Sequence, residues 1–361
     1  MGYVAVSGGQ EAIENAERLF KLRRNPEAAL PLTVEQVKTQ LHLAVDRVMG
    51  EGSLYDPTLA ALALKQAAGD TFEASFLVRA YRTTLPRMGY SIPISTEQMR
   101  VKRRISAAFK NIPGGQILGP TPDYSLRLLD FELFNETGED FRRRAEDLLG
   151  RTNGLPALPD SFPKVVDLLR RENLIDENDI AKGETVPFDV TREALSFPAP
   201  RSAALQTLAR GETGGLLALA YSNMRGYGVV HPTVGELRVG AVPLVMEHPL
   251  SAAPEKIGEV LVTEAEIIAH ANPGKDGPKF TLGYGMCFGH NETKAIAMAV
   301  LDRAIQSTEP SAPSEDPEFV LQHVDGIESM GFCNHYKLPH YVTFQSALDR
   351  IRKARMEHDK R

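Results

Sequence analysis

The chain has 361 residues and a formal net charge of −6, enough length for two ordinary folding units, because single cores stop growing at about 250–300 residues. Its 42% hydrophobic and 24% charged content is that of a globular protein, and no apolar run approaches the ~20 residues that span a bilayer. The acidic balance lacks the basic face that releases counterions from nucleic acid, so neither a membrane nor a nucleic-acid partner is expected, and a phosphate-rich ligand must meet a local cluster of cations.

Two cysteines, Cys287 and Cys333, are too few for a disulfide framework. The N-terminal "MGYVAVSGGQ" has no basic segment followed by an apolar one, so a cytoplasmic location is the expectation. In chain order, "YVAVSGG" reads as a short strand and glycine turn, and "QEAIENAERLFKLRR" as an amphipathic helix. Residues 33 to 110 read as almost wholly helical. Gly50 is expected to end one helix, Asp56 with Pro57 to open the next, and Asp70 with Glu73 and Ser95 with Gln98 have capping-box spacing. "RVKRRISAAFK" would then set Arg100, Lys102, Arg103, Arg104 and Lys110 on or beside one helix, the densest cluster of cations. An apolar run from Leu126 to Phe134 fits strand or helix, and 135–200 is acidic and dotted with proline, as an insertion or linker would be. Beyond it, "HPTVGELRVGAVPLVM", "KIGEVLVTEAEIIA" and "KFTLGYGMCFG" alternate as strands, and "HNETKAIAMAVLDRAIQ" is a helix with Asn291 as its cap. The expected class is α+β: a mainly helical region over 1–134, the insertion over 135–200, and an α+β region with a mixed or antiparallel sheet over 201–361.

Eight of nine histidines follow position 230, so imidazole chemistry belongs to the C-terminal region. Arg225, His231, Glu236 and Arg238 lie close together in "RGYGVVHPTVGELRVG": guanidinium groups suit phosphate oxygens, while Glu236 and His231 can move protons. A glycine-rich hairpin with surface charges is the plain alternative. Glu264 and Glu266 share one face of a strand, either as paired carboxylates or as a solvated edge. In "NHYKLPH", Pro339 keeps Leu338 extended, and a loop can turn His335 and His340 inward as two of a zinc ion's ligands; loop histidines that hydrogen-bond or face solvent are the plain alternative. If extended, that segment puts Cys333 on the side of His335 and completes a local set of three.

The segments "LHLAVDRVMGEG", "LAALALKQAAGD", "FLVRAYRTTL", "RRISAAFKNIPGGQILGPTPDY", "LLALAYSNMRGYGVVHPTVGELRVG" and "GFCNHYKLPHYVTFQ" occur in this order. Together they resemble the I subunit of the bacterial carbon-phosphorus lyase core complex along nearly the whole chain. The resemblance implies phosphonate catabolism: a transferase that displaces adenine from ATP with methylphosphonate to give α-D-ribose 1-methylphosphonate 5-triphosphate, and that alone releases purine from ATP or GTP. It implies assembly with the G, H and J subunits, dependence on the L subunit, and Mg2+ with the nucleotide. It also implies Zn2+ at a subunit interface, where His335 and His340 supply two ligands and the partner the rest, without Cys333.

Breaking an N-glycosidic bond through an oxocarbenium-like state needs an acid for the purine and anionic stabilisation of ribose C1. Glu236, Glu264 and His231 are the candidates for those roles, and Arg225, Tyr227 and Arg238 for triphosphate or phosphonate oxygens. The competing readings are a scaffold subunit with the chemistry elsewhere, and a stand-alone zinc hydrolase built on Cys333, His335 and His340.

Overall fold

In the computed structural model of the chain, residues 9–27, 29–152, 159, 161–176, 186–227, 232–270 and 277–360 are described. Among them are thirteen α-helices and one four-stranded antiparallel sheet, the expected α+β mixture. The strand expected in "YVAVSGG" lies almost wholly outside the described residues. Helix α1 (Gln10–Arg23) buries none of its side chains.

Helices α2 (Val34–Gln40), α3 (His42–Gly52), α4 (Pro57–Gln66) and α5 (Thr71–Arg82) close on one apolar cluster that includes Val37, Val48, Met49, Leu64 and Val78. Asp56 accepts hydrogen bonds from the Thr58 and Leu59 backbone N–H groups, and Asp70 from those of Phe72 and Glu73, which satisfies donors a helix start leaves open. Helix α3 outruns its expected end: Gly50 is internal, and the turn comes at Ser53, with φ of 55°.

The helical reading of residues 33 to 110 fails after Arg82. Ser95 caps only a short 3-10 turn, Thr96–Gln98, and the arginine-rich stretch is a strand, β1 (Arg100–Ile105). A bulge between Val101 and Arg103 re-aims its side chains, so Arg103 and Arg104, both buried, point to opposite faces. Alternation was hidden because both faces carry arginine.

Strand β1 pairs with β2 (Thr233–Glu247), β2 with β3 (Pro254–His270), and β3 with β4 (Phe280–Phe288). One sheet face is apolar and carries α10 (Glu292–Ala304), with Leu237, Ala265, Ile267 and Met298 in one core. Close approach depends on Gly283 and Gly285: a Cβ on either would overlap a carbonyl oxygen of α10, that of Ala299 or Ala295. Gly285→Ala should therefore destabilise the fold by about 1–3 kcal/mol through overpacking, seen as a lower urea midpoint at unchanged slope.

The other face is covered from the middle of the chain. Phe162 and Val165 are buried there, α7 (Val166–Arg171) follows them, and the Ile175 bridge to Phe280 ties the segment to β4. The run from Leu126 to Phe134 forms no strand; it ends in an exposed 3-10 turn, Phe131–Asn135, followed by the exposed α6 (Gly138–Thr152). Helices α8 (Arg201–Arg210), α9 (Thr213–Ser222) and α11 (Pro317–His323) complete the core around α10, and α12 (Gly326–His335) packs on α5. The last helix, α13 (Tyr341–His358), buries no residue. No described helix is long and apolar enough to cross a membrane.

Candidate functional site

The covered face of the sheet holds a layer of charge. Register sets Glu236 opposite Glu266 and Arg238 opposite Glu264 across β2 and β3, while β4 places Tyr284 beside Glu266 and Met286 beside Glu264. Side chains directly opposite in an antiparallel pair share a face, so the sheet itself brings these groups together. Arg104 joins them from β1, opposite Arg238, and Lys164 from the covering segment.

Every member is tied to others. Arg104 Nε lies 2.5 Å from Glu236 Oε1, and its other nitrogens donate to the carbonyls of Pro113, Gly115 and Pro163 at 2.6, 3.0 and 2.8 Å. Its guanidinium also stacks over Phe162, 5.0 Å from the ring centre. Arg238 Nε donates to Glu264 Oε2 at 3.0 Å, Nη2 reaches the same oxygen, and Nη2 lies 3.1 Å from Thr96 Oγ1. Glu264 Oε1 takes Lys164 at 2.7 Å, Thr96 at 2.8 Å and the Tyr284 hydroxyl at 2.9 Å. Lys164 also reaches Glu266, at 3.3 Å. Three cations face three carboxylates, the balance a buried layer requires.

The carboxylates differ in environment. Burial pushes the Glu264 carboxyl up, but Lys164 and Arg238 outweigh it and hold the group down at about 2. At Glu266 burial also pushes up, and the neighbouring Glu264 and Glu236 charges add to it; Lys164 does not compensate, and the group is raised. Tyr284 is likewise raised, by burial and by Glu264. Two carboxyls on one face whose environments drive their acidities apart are the arrangement that separates an ionised group from a proton donor. Glu266 is also the more accessible: its side chain is 13% exposed, against 2% for Glu264 and 1% for Glu236. Arg238 Nη1 and Glu266 Oε2 are buried with no hydrogen-bond partner among the described residues.

Of the residues chosen from sequence, Glu236, Glu264 and Arg238 therefore come together. The solvated-edge reading of Glu264 and Glu266 is overturned by their burial against the covering segment. Arg238 is buried and paired with Glu264 rather than open to phosphate oxygens. Arg225 lies apart from these contacts in a π-helical turn, Asn223–Tyr227, exposed and 5.6 Å over the Tyr221 ring. The backbone of Tyr227 closes that turn, and His231 lies outside the described residues. The cluster expected on a helix is dispersed: Arg104 enters the layer, Arg103 pairs with Glu292 at 2.6 Å on the opposite face, and Arg100 pairs with Glu259 at 2.7 Å. Sequence reasoning missed Lys164 and the role of Tyr284, although charges at period two in otherwise apolar strands hinted at a polar face. A single lysine among prolines gave no signal.

The histidine pair is a separate feature. His335 ends α12 and His340 precedes α13, and their Nε2 atoms lie 2.8 Å apart. His340 Nδ1 is 2.6 Å from the Leu338 carbonyl oxygen, so Nδ1 carries the proton and Nε2 presents a lone pair, the orientation a metal-binding imidazole takes. Zinc–nitrogen bonds of ~2.0–2.1 Å in a tetrahedron set donor atoms ~3.3 Å apart, a small separation from the observed one. The pair thus fits half a zinc site. Cys333 does not extend it: the segment is helical rather than extended, and two positions turn a side chain about 200° around the axis. Among the described residues no group of three His, Cys, Asp or Glu side chains is placed to hold a metal, which removes the local three-ligand set.

Comparison with known proteins agrees along the whole length. The family model described as bacterial phosphonate metabolism protein (PhnI) matches residues 2–358. A putative C-P lyase subunit protein HtxH of Stutzerimonas stutzeri is 58% identical over 98% of this chain and 95% of its own. Proteins named alpha-D-ribose 1-methylphosphonate 5-triphosphate synthase subunit PhnI are 48% identical in Rhizobium meliloti (strain 1021), over 99% of this chain and 96% of the relative, and 46% identical in Escherichia coli (strain K12), over 99% of both. The buried ionic layer and the paired histidines are thus features of a chain that belongs to the PhnI family of bacterial phosphonate metabolism proteins.

Proposed function

We propose that this chain is the I-type subunit of an α-D-ribose 1-methylphosphonate 5-triphosphate synthase, displacing adenine from ATP with methylphosphonate and releasing purine from ATP or GTP when isolated. The observation that carries this reading is the end-to-end likeness to two proteins named as that subunit. The split carboxylates support it. Glu266 protonates the departing purine, and Glu264, kept ionised, stabilises positive charge developing at ribose C1. Lys164 and Arg238 hold Glu264 in place. Arg225 and Tyr227, beside His231 in sequence, are offered to phosphonate oxygens. Attack from the face opposite the purine gives the α product.

Assembly with G, H and J subunits, help from an L subunit, and Mg2+ on the triphosphate complete the proposal, in the cytoplasm where ATP is available. Exposed apolar side chains support a partner beside the histidines: Phe332, Tyr336, Tyr341, Val342 and Phe344 are all exposed around them. Zinc bound there would act as a Lewis acid or as an interface clamp. His335→Ala with His340→Ala should strip that zinc from the assembled complex, read as metal per complex, while the isolated chain keeps its unfolding midpoint.

Adenine release from MgATP by the purified chain, alone and with partners and methylphosphonate, tests the activity. The same exposed surface favours a second reading, a scaffold with chemistry elsewhere. That reading gains if the isolated chain releases nothing and substitutions in the ionic layer leave release by the complex untouched.

A further inference from the structure

The sequence poses a question that the ionic layer does not answer: where an acidic chain receives a triphosphate. Arg238 and Arg104 are committed to carboxylates, and Arg103 is held by Glu292 on the far face. Another cluster lies where the end of α5 meets the stretch after residue 188. A cavity of about 530 Å³ there is lined by Arg82, Arg87 and Arg192 together with the hydroxyl-bearing Ser53, Thr83 and Thr191, and no acidic side chain lines it. Arg87 is positioned by Asp189 at 3.2 Å and Thr191 Oγ1 at 3.1 Å, and by stacking 5.0 Å from the Tyr90 ring centre. Arg82 and Arg192 have no ion pair among the described residues. Burial lowers the Arg82 guanidinium, and the neighbouring Arg210, Arg79 and Arg87 add to it while Asp189 opposes it.

A second cavity, of about 280 Å³, adjoins the first through Ser53 and Thr191. Its walls are largely apolar: Val190, Ala209, Val262, Met286 and Phe288. Met286 is opposite Glu264 in the sheet, and its sulfur lies 3.5 Å from the Tyr284 hydroxyl that donates to Glu264. The arginine-lined cavity, the apolar cavity and the carboxylate layer are therefore successive neighbours.

The geometry points to a nucleoside triphosphate bound across the two cavities, its phosphates on Arg82, Arg87 and Arg192 and its base and sugar between Ala209 and Met286, beside the carboxylate layer. This rests on the proposed activity for the choice of a nucleotide. Forked guanidinium donors suit phosphate oxygens, and the apolar walls accept a flat ring.

Calorimetric titration of the full chain with MgATP and with inorganic tripolyphosphate tests it. Wild type should bind both. Arg82→Gln with Arg192→Gln should weaken both by about a hundredfold or more, from the loss of two charge-assisted contacts. Ala209→Phe, which fills the apolar cavity, should abolish MgATP binding and leave tripolyphosphate binding unchanged; if it fails to fold, the arginine pair carries the test. MgATP affinity unchanged in the arginine variant overturns the site, even where adenine release by wild type upholds the activity. Binding lost as predicted, in a complex that never releases adenine, keeps the site and rejects the activity.

Discussion

Replacing Glu266 by glutamine should lower the rate of purine release by about two to four orders of magnitude, the usual contribution of a positioned proton donor. The effect should fall on kcat with KM for ATP little changed, because the lost interaction belongs to the departing base. The pH profile separates this from a structural role. Glu266 is raised by burial and by its carboxylate neighbours, so the group is protonated below its raised value and ionised above it. Activity that needs the acid is present at low pH and declines as pH rises through that value. In the glutamine variant this alkaline decline should vanish along with most of the rate. Folding should survive, since glutamine keeps the shape and needs no counter-charge. A wild-type rate in Glu266→Gln would remove the residue from the chemistry.

Arg104→Met should destabilise the chain by about 3–5 kcal/mol, because one partner of a buried pair is then left charged and alone. Arg104 also holds three backbone carbonyls, so its loss releases both the turn at Pro113 to Gly115 and the covering segment at Pro163. Glu236 would keep the backbone N–H of Val165, at 3.1 Å, as a remaining donor. Adding Glu236→Leu should restore part of the loss by removing the stranded charge, and urea unfolding of the single and double variants measures the difference. Equal stability of wild type and Arg104→Met would mean the layer is hydrated rather than dry.

What the sequence made legible follows from periodicity. The α10 helix and strands β2 to β4 could be read because apolar residues recur at their own period in each, and the caps at Asp56 and Asp70 because short side chains precede regular apolar runs. The strand β1 could not: "RVKRRI" has cations at both parities, and its true partners lie more than a hundred residues away in β2. Glu236, Glu264 and Arg238 were found by residue type, but their register was not, and register is what makes Arg238 a partner of Glu264. The paired histidines were legible as a bent loop through Pro339. The geometry of Cys333 beside them stayed open, because "GFCNH" has no apolar period to show that the helix reaches His335 and carries the thiol away.

The ionic layer also limits how this protein can change over generations. With Arg104 paired to Glu236 and Arg238 to Glu264 on a covered face, loss of one member of either pair strands the other, so tolerated change at these positions passes through two coordinated replacements. Drift along β2 and β3 is thereby tied across strands, position 236 to position 104 and position 238 to position 264. In variants recovered from random mutagenesis under selection for stability, these positions should alter in pairs or not at all, while the exposed positions of α1 and α13 alter singly.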